Sequence, residues 1–365
     1  MNMKRLLALG SLIFLVLTSW AQASGEFRLA QPGWDYVFPR DHAAHPEFKT
    51  EWWYYTGHLT SNQGEQFSYQ LTFFRVGVRQ PDPEARSAWA LSTLYFGHLA
   101  LTDIGGRTFT FHEKVGRGAL GLSGAETQRY RVWIEDWQAE LVGKAHHLRA
   151  GAGDLALDLH LRPEKPPVIH GTDGVSQKAA GEGFASHYYS LTRLATQGQV
   201  TFQGRTLPVQ GLSWMDHEFS SSQLAPDQTG WDWFSLQLDD GHDLMLYVMR
   251  RQDGTLDPFS SGTLVDPQGQ CRHLELADFT ITPLNTWKSP QSGAVYPSGW
   301  KITLPGYDLE VQPTLQDQEL ITTRSTQVTY WEGSVRVEGR SHGNTVRGQG
   351  YVELTGYAGA LGGKF

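Results

Sequence analysis

Leu155, Leu157, Leu159 and Leu161 alternate with Ala156, Asp158 and His160, the period-two pattern of a strand with one face in a core. Phe67, Tyr69, Leu71 and Phe73 repeat it. Between Trp231 and Arg250 two apolar runs flank Asp239-Asp240-Gly241-His242, a hairpin signal because Gly and Asp tolerate the positive φ angles of a tight turn. Ser334 to Gly339, His342-Gly343-Asn344 and Val346 to Tyr357 read as a second hairpin. Helical periodicity over more than two turns is hard to find, and 40 Gly with 17 Pro cut the chain into short segments. Many short antiparallel strands with close turns predict an all-β protein, either sandwich or barrel.

The aromatic strands narrow that choice. Trp52 and Tyr54 point one way while Trp53 and Tyr55 point the other, whereas a half-solvated sandwich strand carries one polar face. A barrel strand that lines an apolar cavity inside and packs on a second barrel outside has two apolar faces. The pattern also occurs twice. Asp41-His42 precedes Trp52-Trp53-Tyr54-Tyr55, and Asp216-His217 precedes Trp231-Asp232-Trp233-Phe234. Trp52, Tyr54 and Leu59 stand at one constant offset from Trp231, Trp233 and Leu238, as expected of two related modules. The prediction is two tandem antiparallel β-barrels packed together, residues 24–205 and 206–365. Pro163 to Phe184 reads as a long functional loop, and Gln197 to Gly211 as the passage into the second module.

Residues 1–23 read as a leader. Lys4 and Arg5 precede an apolar run from Leu6 to Trp20, and Ala21-Gln22-Ala23 supplies the small residues of a cleavage site. Cleavage after Ala23 would place the mature chain in the periplasm or outside the cell, and no later apolar stretch is long enough to span a bilayer. The formal charge of −8, more negative once Lys4 and Arg5 are lost, gives no reason to expect a nucleic-acid partner. Cys271 stands alone and is expected to be a small buried hydrophobe. Without disulfides the fold must rest on burial, for which 13 Trp, 14 Tyr and 17 Phe provide the surface.

Phe38-Pro39-Arg40-Asp41-His42, His45, Phe48, Thr50-Glu51-Trp52-Trp53-Tyr54 and Thr56-Gly57 resemble the start of the lipocalin-like proteins grouped with carotenoid 1,2-hydratase and the AttH proteins. Val209-Gln210-Gly211, Trp214-Met215-Asp216-His217-Glu218, Tyr330-Trp331-Glu332-Gly333 and Gly350 to Tyr357 continue the likeness. The resemblance implies a pair of lipocalin-like barrels. It also implies either hydration of an isoprenoid double bond or a role beside an ABC transporter of the cell envelope. The leader places the chain nearer the exported AttH branch.

Adding water to an isolated alkene requires a proton delivered to carbon, a stabilised cation, and water. A carboxylic acid kept neutral by an apolar pocket can supply the proton, and aromatic faces can stabilise the cation. Asp216, flanked by His217 and Glu218 and two residues after Trp214, has the required groups. In a strand, Trp214, Asp216 and Glu218 would share one face, and Met215 and His217 the other. The alternative is a buried Asp-His pair that caps a barrel or joins the domains.

Asp41, His42, His45 and Glu51 form the first copy's polar set. Hydrogen bonding is expected there rather than a metal, with Glu51 either a second acid or the partner of Arg75. Asp232 shares a face with Phe234, Leu236 and Leu238, so it lines the cavity or belongs to the domain interface. Trp231, Trp233, Trp53 and Tyr55 complete the candidate ligand contacts. No cofactor is expected. Gly211-Leu212-Ser213-Trp214-Met215 lacks the second Gly of a nucleophile elbow, and neither H-E-x-x-H nor a P-loop occurs, which argues against a serine or zinc hydrolase. The expected function is binding or transfer of a long apolar ligand, lipid or isoprenoid, with Asp216-catalysed hydration as the alternative.

Overall fold

The computed structural model describes residues 26–80, 91–222 and 224–362; the expected leader lies outside the described residues. Two curled antiparallel sheets make up the fold. In the first, of 13 strands, the order runs from Thr108–Arg117 through Thr93–Asp103, Gln66–Gly77, Thr50–Ser61, Arg205–Ser222, Ala185–Phe202, Leu155–Pro163, Ala145–Ala152, Trp137–Val142 and Arg131–Ile134 to Ser123–Ala125, with the short strands Val168–Ile169 and Ser176–Gln177 also paired to Ala185–Phe202. Its two ends nearly close into a barrel: a Cβ on Gly116 would collide with the Ser123 side chain. The second, of 10 strands, runs from Cys271–Glu275 through Ser261–Val265, Asp243–Arg251, Gln228–Leu238, Asn344–Leu354, Thr329–Ser341, Tyr307–Pro313 and Val295–Leu304 to Thr280–Lys288. Glu319–Ile321 is its tenth strand, paired to Thr329–Ser341, and the sheet curls into a half-barrel.

The hydrophobic pattern set the strands as expected. Leu155, Leu157, Leu159 and Leu161 are buried while Asp158 and His160 are exposed. Both predicted hairpins form, closing at Gln237 opposite Asp243 and at Ser341 opposite Asn344. Cys271 differs from expectation. It is exposed because it starts an edge strand of the open half-barrel.

The division between modules also falls elsewhere. The 205/206 position lies at the turn of a hairpin within the first sheet, where Phe202 pairs with Arg205. The sheets separate between Ser222 and Gln228. The Trp214 to Glu218 run therefore lies in the first sheet, hydrogen-bonded on both sides, with Asp216 opposite Tyr54 and Ser190.

The repeat is nevertheless present in three dimensions. Thr50–Ser61 lies between Gln66–Gly77 and Arg205–Ser222, as Gln228–Leu238 lies between Asp243–Arg251 and Asn344–Leu354. Tyr54 faces Asp216 across its ladder, and Trp233 faces Glu353 across the corresponding one. The second module's counterpart of Asp216 is thus Glu353.

Each sheet encloses its own core. Trp53, Tyr55, Tyr69, Leu71, Phe73, Trp137, Leu159 and Met215 fill the first, and Phe234, Leu236, Trp300, Ile302, Val335 and Val352 fill the second. A third cluster, including Tyr54, Tyr188, Trp214, Trp233, Met245 and Tyr247, joins the sheets. Asp243 pins this junction: its buried carboxylate accepts from Lys165 Nζ at 2.7 Å and Arg193 Nη2 at 2.6 Å. The loop from Pro163 to Phe184 supplies Lys165, His170 and Lys178 to the junction, each buried.

Candidate functional site between the two sheets

Side-chain alternation on Thr50–Ser61 and Arg205–Ser222 separates two polar regions. Trp52, Tyr54, Asp216 and Glu218 face the second sheet, and Glu51, Trp53, Tyr55 and His217 face the interior of the first barrel. Between the sheets lies an apolar cavity of about 240 Å³. Trp52, Phe74, Trp231, Trp233 and Met249 give it apolar walls, and Asp216, Glu218, Glu332, Glu353 and Lys178 also line it. The expected pocket inside a barrel is replaced by one between modules, because aromatic side chains fill the first barrel.

Asp216 sits in a cradle of three donors. Tyr188 donates its hydroxyl to Oδ2 at 2.6 Å, and Trp214 Nε1 donates to Oδ1 at 2.6 Å. Ser190 also donates to Oδ1, at 2.5 Å. Burial nevertheless raises the Asp216 carboxyl to about 7, with the Glu218 charge adding to the rise and the three donors opposing it. His170 stands behind Ser190, its Nε2 2.7 Å from Ser190 Oγ and its Nδ1 2.8 Å from Thr263 Oγ1. With the Ser190 proton directed to Asp216, His170 Nε2–H must donate to Ser190, and Nδ1 accepts from Thr263. Burial, aided by Lys178, keeps that imidazole neutral.

The opposite wall carries two glutamates directly across from each other on Thr329–Ser341 and Asn344–Leu354. Glu353 accepts from Trp231 Nε1 at 2.9 Å. Burial lifts it to about 7, Trp231 opposes that shift, and the charges of Glu218 and Asp216 add to it. Glu332 is held well above the ordinary range by burial and by the charge of Glu353, the expected outcome when neighbouring carboxyls cannot both ionise. Lys178 lies 3.3 Å from Glu218 Oε1 and 4.0 Å from the centroid of the Tyr247 ring. Burial opposes its charge, but Glu218 and other nearby groups raise it overall.

The remaining candidates belong to other regions. His217, adjacent to Asp216 in sequence, points through the sheet into the first barrel. There its Nε2 lies 2.9 Å from Glu51 Oε1, and its ring stacks on Trp53. Glu51 borders the cavity by position only: its carboxylate meets Arg75 Nε at 2.8 Å and His45 Nδ1 at 2.9 Å. Asp41 takes Arg40 and His45, His42 meets the Tyr189 hydroxyl, and Tyr55 joins Tyr130 and His146. Asp232 is held by Arg250 and Tyr357 on the second core's face, so it neither lines the cavity nor faces the first sheet.

His45, Glu51 and His217 present donor atoms within 4.8 Å of one another. Both imidazoles hydrogen-bond to Glu51 Oε1, while Arg75 holds Oε2. A cation against each side of the carboxylate makes this an ion-pair hub rather than a metal cage. Sequence reasoning missed Glu332, Glu353, Tyr188, Ser190, His170 and Lys178. A signal existed for the glutamates, since each stands among large apolar residues, Glu332 directly after Tyr330-Trp331 and Glu353 between Val352 and Leu354.

The fold and cavity define a protein of two lipocalin-like sheets with an acid-lined pocket between them. The chain belongs to the AttH-like family, whose model matches residues 29–357. It is 22% identical over 320 residues to a kievitone hydratase of Fusarium solani subsp. phaseoli, covering 83% of this chain and 81% of that protein. It is 21% identical over 307 residues to the dehydratase asqC of Emericella nidulans, covering 81% and 82% of the two chains. Among solved structures, an AttH-type protein from Nitrosomonas europaea superposes with a TM-score of 0.82 at 33% identity, covering 91% of this chain and 100% of that one.

Proposed function

We propose that this protein is a hydro-lyase that adds water to, or removes it from, a carbon–carbon double bond of a compact, largely apolar molecule held between the sheets. The observation that carries this reading is the pair Asp216 and Glu353, two buried carboxyls from opposite walls that are both raised to about 7. Near neutral pH one can be protonated and the other ionised. In the hydration direction, the protonated carboxyl transfers its proton to one alkene carbon as the π bond breaks, leaving a cation at the other. Trp52, Trp231 and Trp233 present aromatic faces to that charge. Water then bonds to the cation while the ionised carboxyl takes its proton. The two carboxyls exchange protonation states, and the product gains one water. The hydratase and dehydratase relatives agree with this chemistry in either direction.

The volume supports a compact ligand. Small-molecule pockets run from roughly 300 to 1,000 Å³, and this cavity of about 240 Å³ lies just below that range, which disfavours the long chain expected from the sequence. A second reading, binding and delivery of an apolar molecule beside an envelope ABC transporter after export, is favoured by the three donors that occupy both Asp216 oxygens. Incubation with short acyclic isoprenoid alkenes in isotopically labelled water separates the two. Label in the product, lost in Asp216→Asn and Glu353→Gln while ligand binding persists, supports the hydro-lyase. Binding without label incorporation in any form of the protein supports the carrier.

A further inference from the structure

The outer surface of the first barrel carries a second constellation that the cavity does not use. Ala145–Ala152 and Leu155–Pro163 form a hairpin whose register sets His147 directly opposite His160 and Arg149 opposite Asp158. Asp158 and His160 are two residues apart and so share a face, and cross-strand neighbours on one face stand about 5 Å apart. The alternate positions Leu148, Leu157, Leu159 and Leu161 point inward and anchor both strands in the barrel core. The imidazoles of His147 and His160 lie nearly parallel, 4.1 Å apart with an interplanar angle of 11°. His147 Nε2 is 2.8 Å from Asp158 Oδ1, and the three side chains present donor atoms within 4.8 Å of one another. The Asp158 side chain is 57% exposed, so an ion can reach the group directly from solvent.

We propose that His147, Asp158 and His160 form an open surface site for Zn²⁺, with two imidazole nitrogens and one carboxylate as ligands and water in the remaining positions. The donor set selects the metal class. Imidazole favours zinc and its late first-row neighbours, whereas calcium and magnesium require oxygen ligands throughout. The stacked rings direct their in-plane lone pairs side by side, so one exposed ring turns about its Cβ–Cγ bond to bring both nitrogens onto a single ion. The hydrogen shared between His147 Nε2 and Asp158 leaves to solvent as the metal binds, so affinity rises with pH. Arg149, opposite Asp158 in the ladder, is the neighbouring cation and limits the affinity.

This site differs from the His45, Glu51 and His217 hub in two respects. It is solvent-accessible, and no arginine is bonded to its carboxylate among the described residues. Calorimetric titration of the metal-free protein with ZnCl₂ tests the proposal without reference to activity. One equivalent per chain is expected, with His147→Ala, Asp158→Asn and His160→Ala each weakening it by more than about ten-fold, the scale seen for loss of a mere outer-shell partner. CaCl₂ should give no saturable heat. The substitutions lie outside the core, so near-ultraviolet circular dichroism should be unchanged, and His160→Gln offers a milder version of the same deletion. Absence of saturable zinc uptake overturns the proposal. So does an equivalent that survives the His147→Ala/His160→Ala double substitution, which would place the metal elsewhere.

Discussion

The two faces of the Thr50–Ser61 and Arg205–Ser222 strands both bury carboxyls and behave in opposite ways. Inside the first barrel, Glu51 meets Arg75, His45 and His217, and its carboxyl is driven well below the ordinary range by these partners despite burial. Burial opposes the charge of His45, yet Asp41 and Glu51 together raise it to about 9. Across the sheet, acids outnumber bases: Asp216, Glu218, Glu332 and Glu353 line the cavity, and Lys178 pairs with Glu218 alone among them. Burial there lifts Asp216 and Glu353 to about 7. Desolvation is common to both faces, so the supply of opposite charge decides whether a carboxyl becomes a fixed ion or a group that titrates near neutrality.

The strongest way to break the comparison is to remove the fixed ion. Glu51→Gln leaves Arg75 buried without its counter-charge and protonated His45 with Asp41 alone, and loss of one partner of a buried pair costs about 3–5 kcal/mol. Urea unfolding at pH 6 should show that drop. The pH dependence of the unsubstituted protein carries the same sign. Glu51, depressed in the folded state, contributes stability above its unfolded value near 4.5, and the contribution fades as pH falls below that. His45, raised in the folded state, contributes fully below about 6.5 and loses its contribution as pH rises toward about 9. Stability from this hub should therefore peak between about pH 5 and 6.5. A flat profile from pH 6.5 to 9 would contradict the assignment of His45 as a buried cation.

Asp216→Asn probes the other face and should reverse the sign for stability. An acid whose folded value is raised is penalised as pH climbs from about 4 to 7, because the unfolded chain ionises first. The asparagine form should therefore gain on the order of 4 kcal/mol at pH 8 relative to its behaviour at pH 4, about 1.4 kcal/mol for each of the roughly three pH units by which Asp216 is raised. Turnover should fall by about 10²- to 10⁴-fold, the usual share of a general acid or base. For the intact protein, hydration should follow a bell centred near pH 7, since one carboxyl must be protonated while the other is ionised. Glu353→Gln should remove one limb of that bell.

Much of the architecture was legible because period-two alternation is a local signal: the Leu155 to Leu161 strand, both hairpins and the double-faced aromatic strands follow from it directly. Trp214, Asp216 and Glu218 on one face, with Met215 and His217 on the other, were legible for the same reason. The acid pair was not. Glu353 reaches Asp216 only because Asn344–Leu354 occupies in the second sheet the place that Arg205–Ser222 holds in the first, a pairing more than a hundred residues apart in sequence. The repeated Asp-His dipeptide suggested a different equivalence. Asp41-His42 forms a short 3-10 turn, whereas Asp216-His217 lies within a strand. His217 adjoins Asp216 in sequence, but on a strand the two side chains are separated by the sheet, and His217 bonds to Glu51 instead.

The smallest effect distinguishes a cradle that sets the Asp216 proton from one that merely fills space. His170 makes no contact with Asp216 itself and packs on the Tyr188 ring, but its Nε2–H fixes the Ser190 hydroxyl so that its hydrogen points to Asp216 Oδ1. In His170→Ala the hydroxyl is free to turn, and the carboxylate loses part of one of the three hydrogen bonds that favour its ionised form. Asp216 should then titrate higher than about 7, by a fraction of a pH unit. The limb of the hydration profile that Asp216 governs should move upward by the same amount, while the other limb moves less. The carboxyl stretching band assigned by its loss in Asp216→Asn gives the titration directly by infrared spectroscopy, independent of turnover. His170→Gln, whose side-chain amide can still donate toward Ser190, should restore much of the original value. A His170→Ala band that titrates where it did before would show that Ser190 holds its orientation without the imidazole.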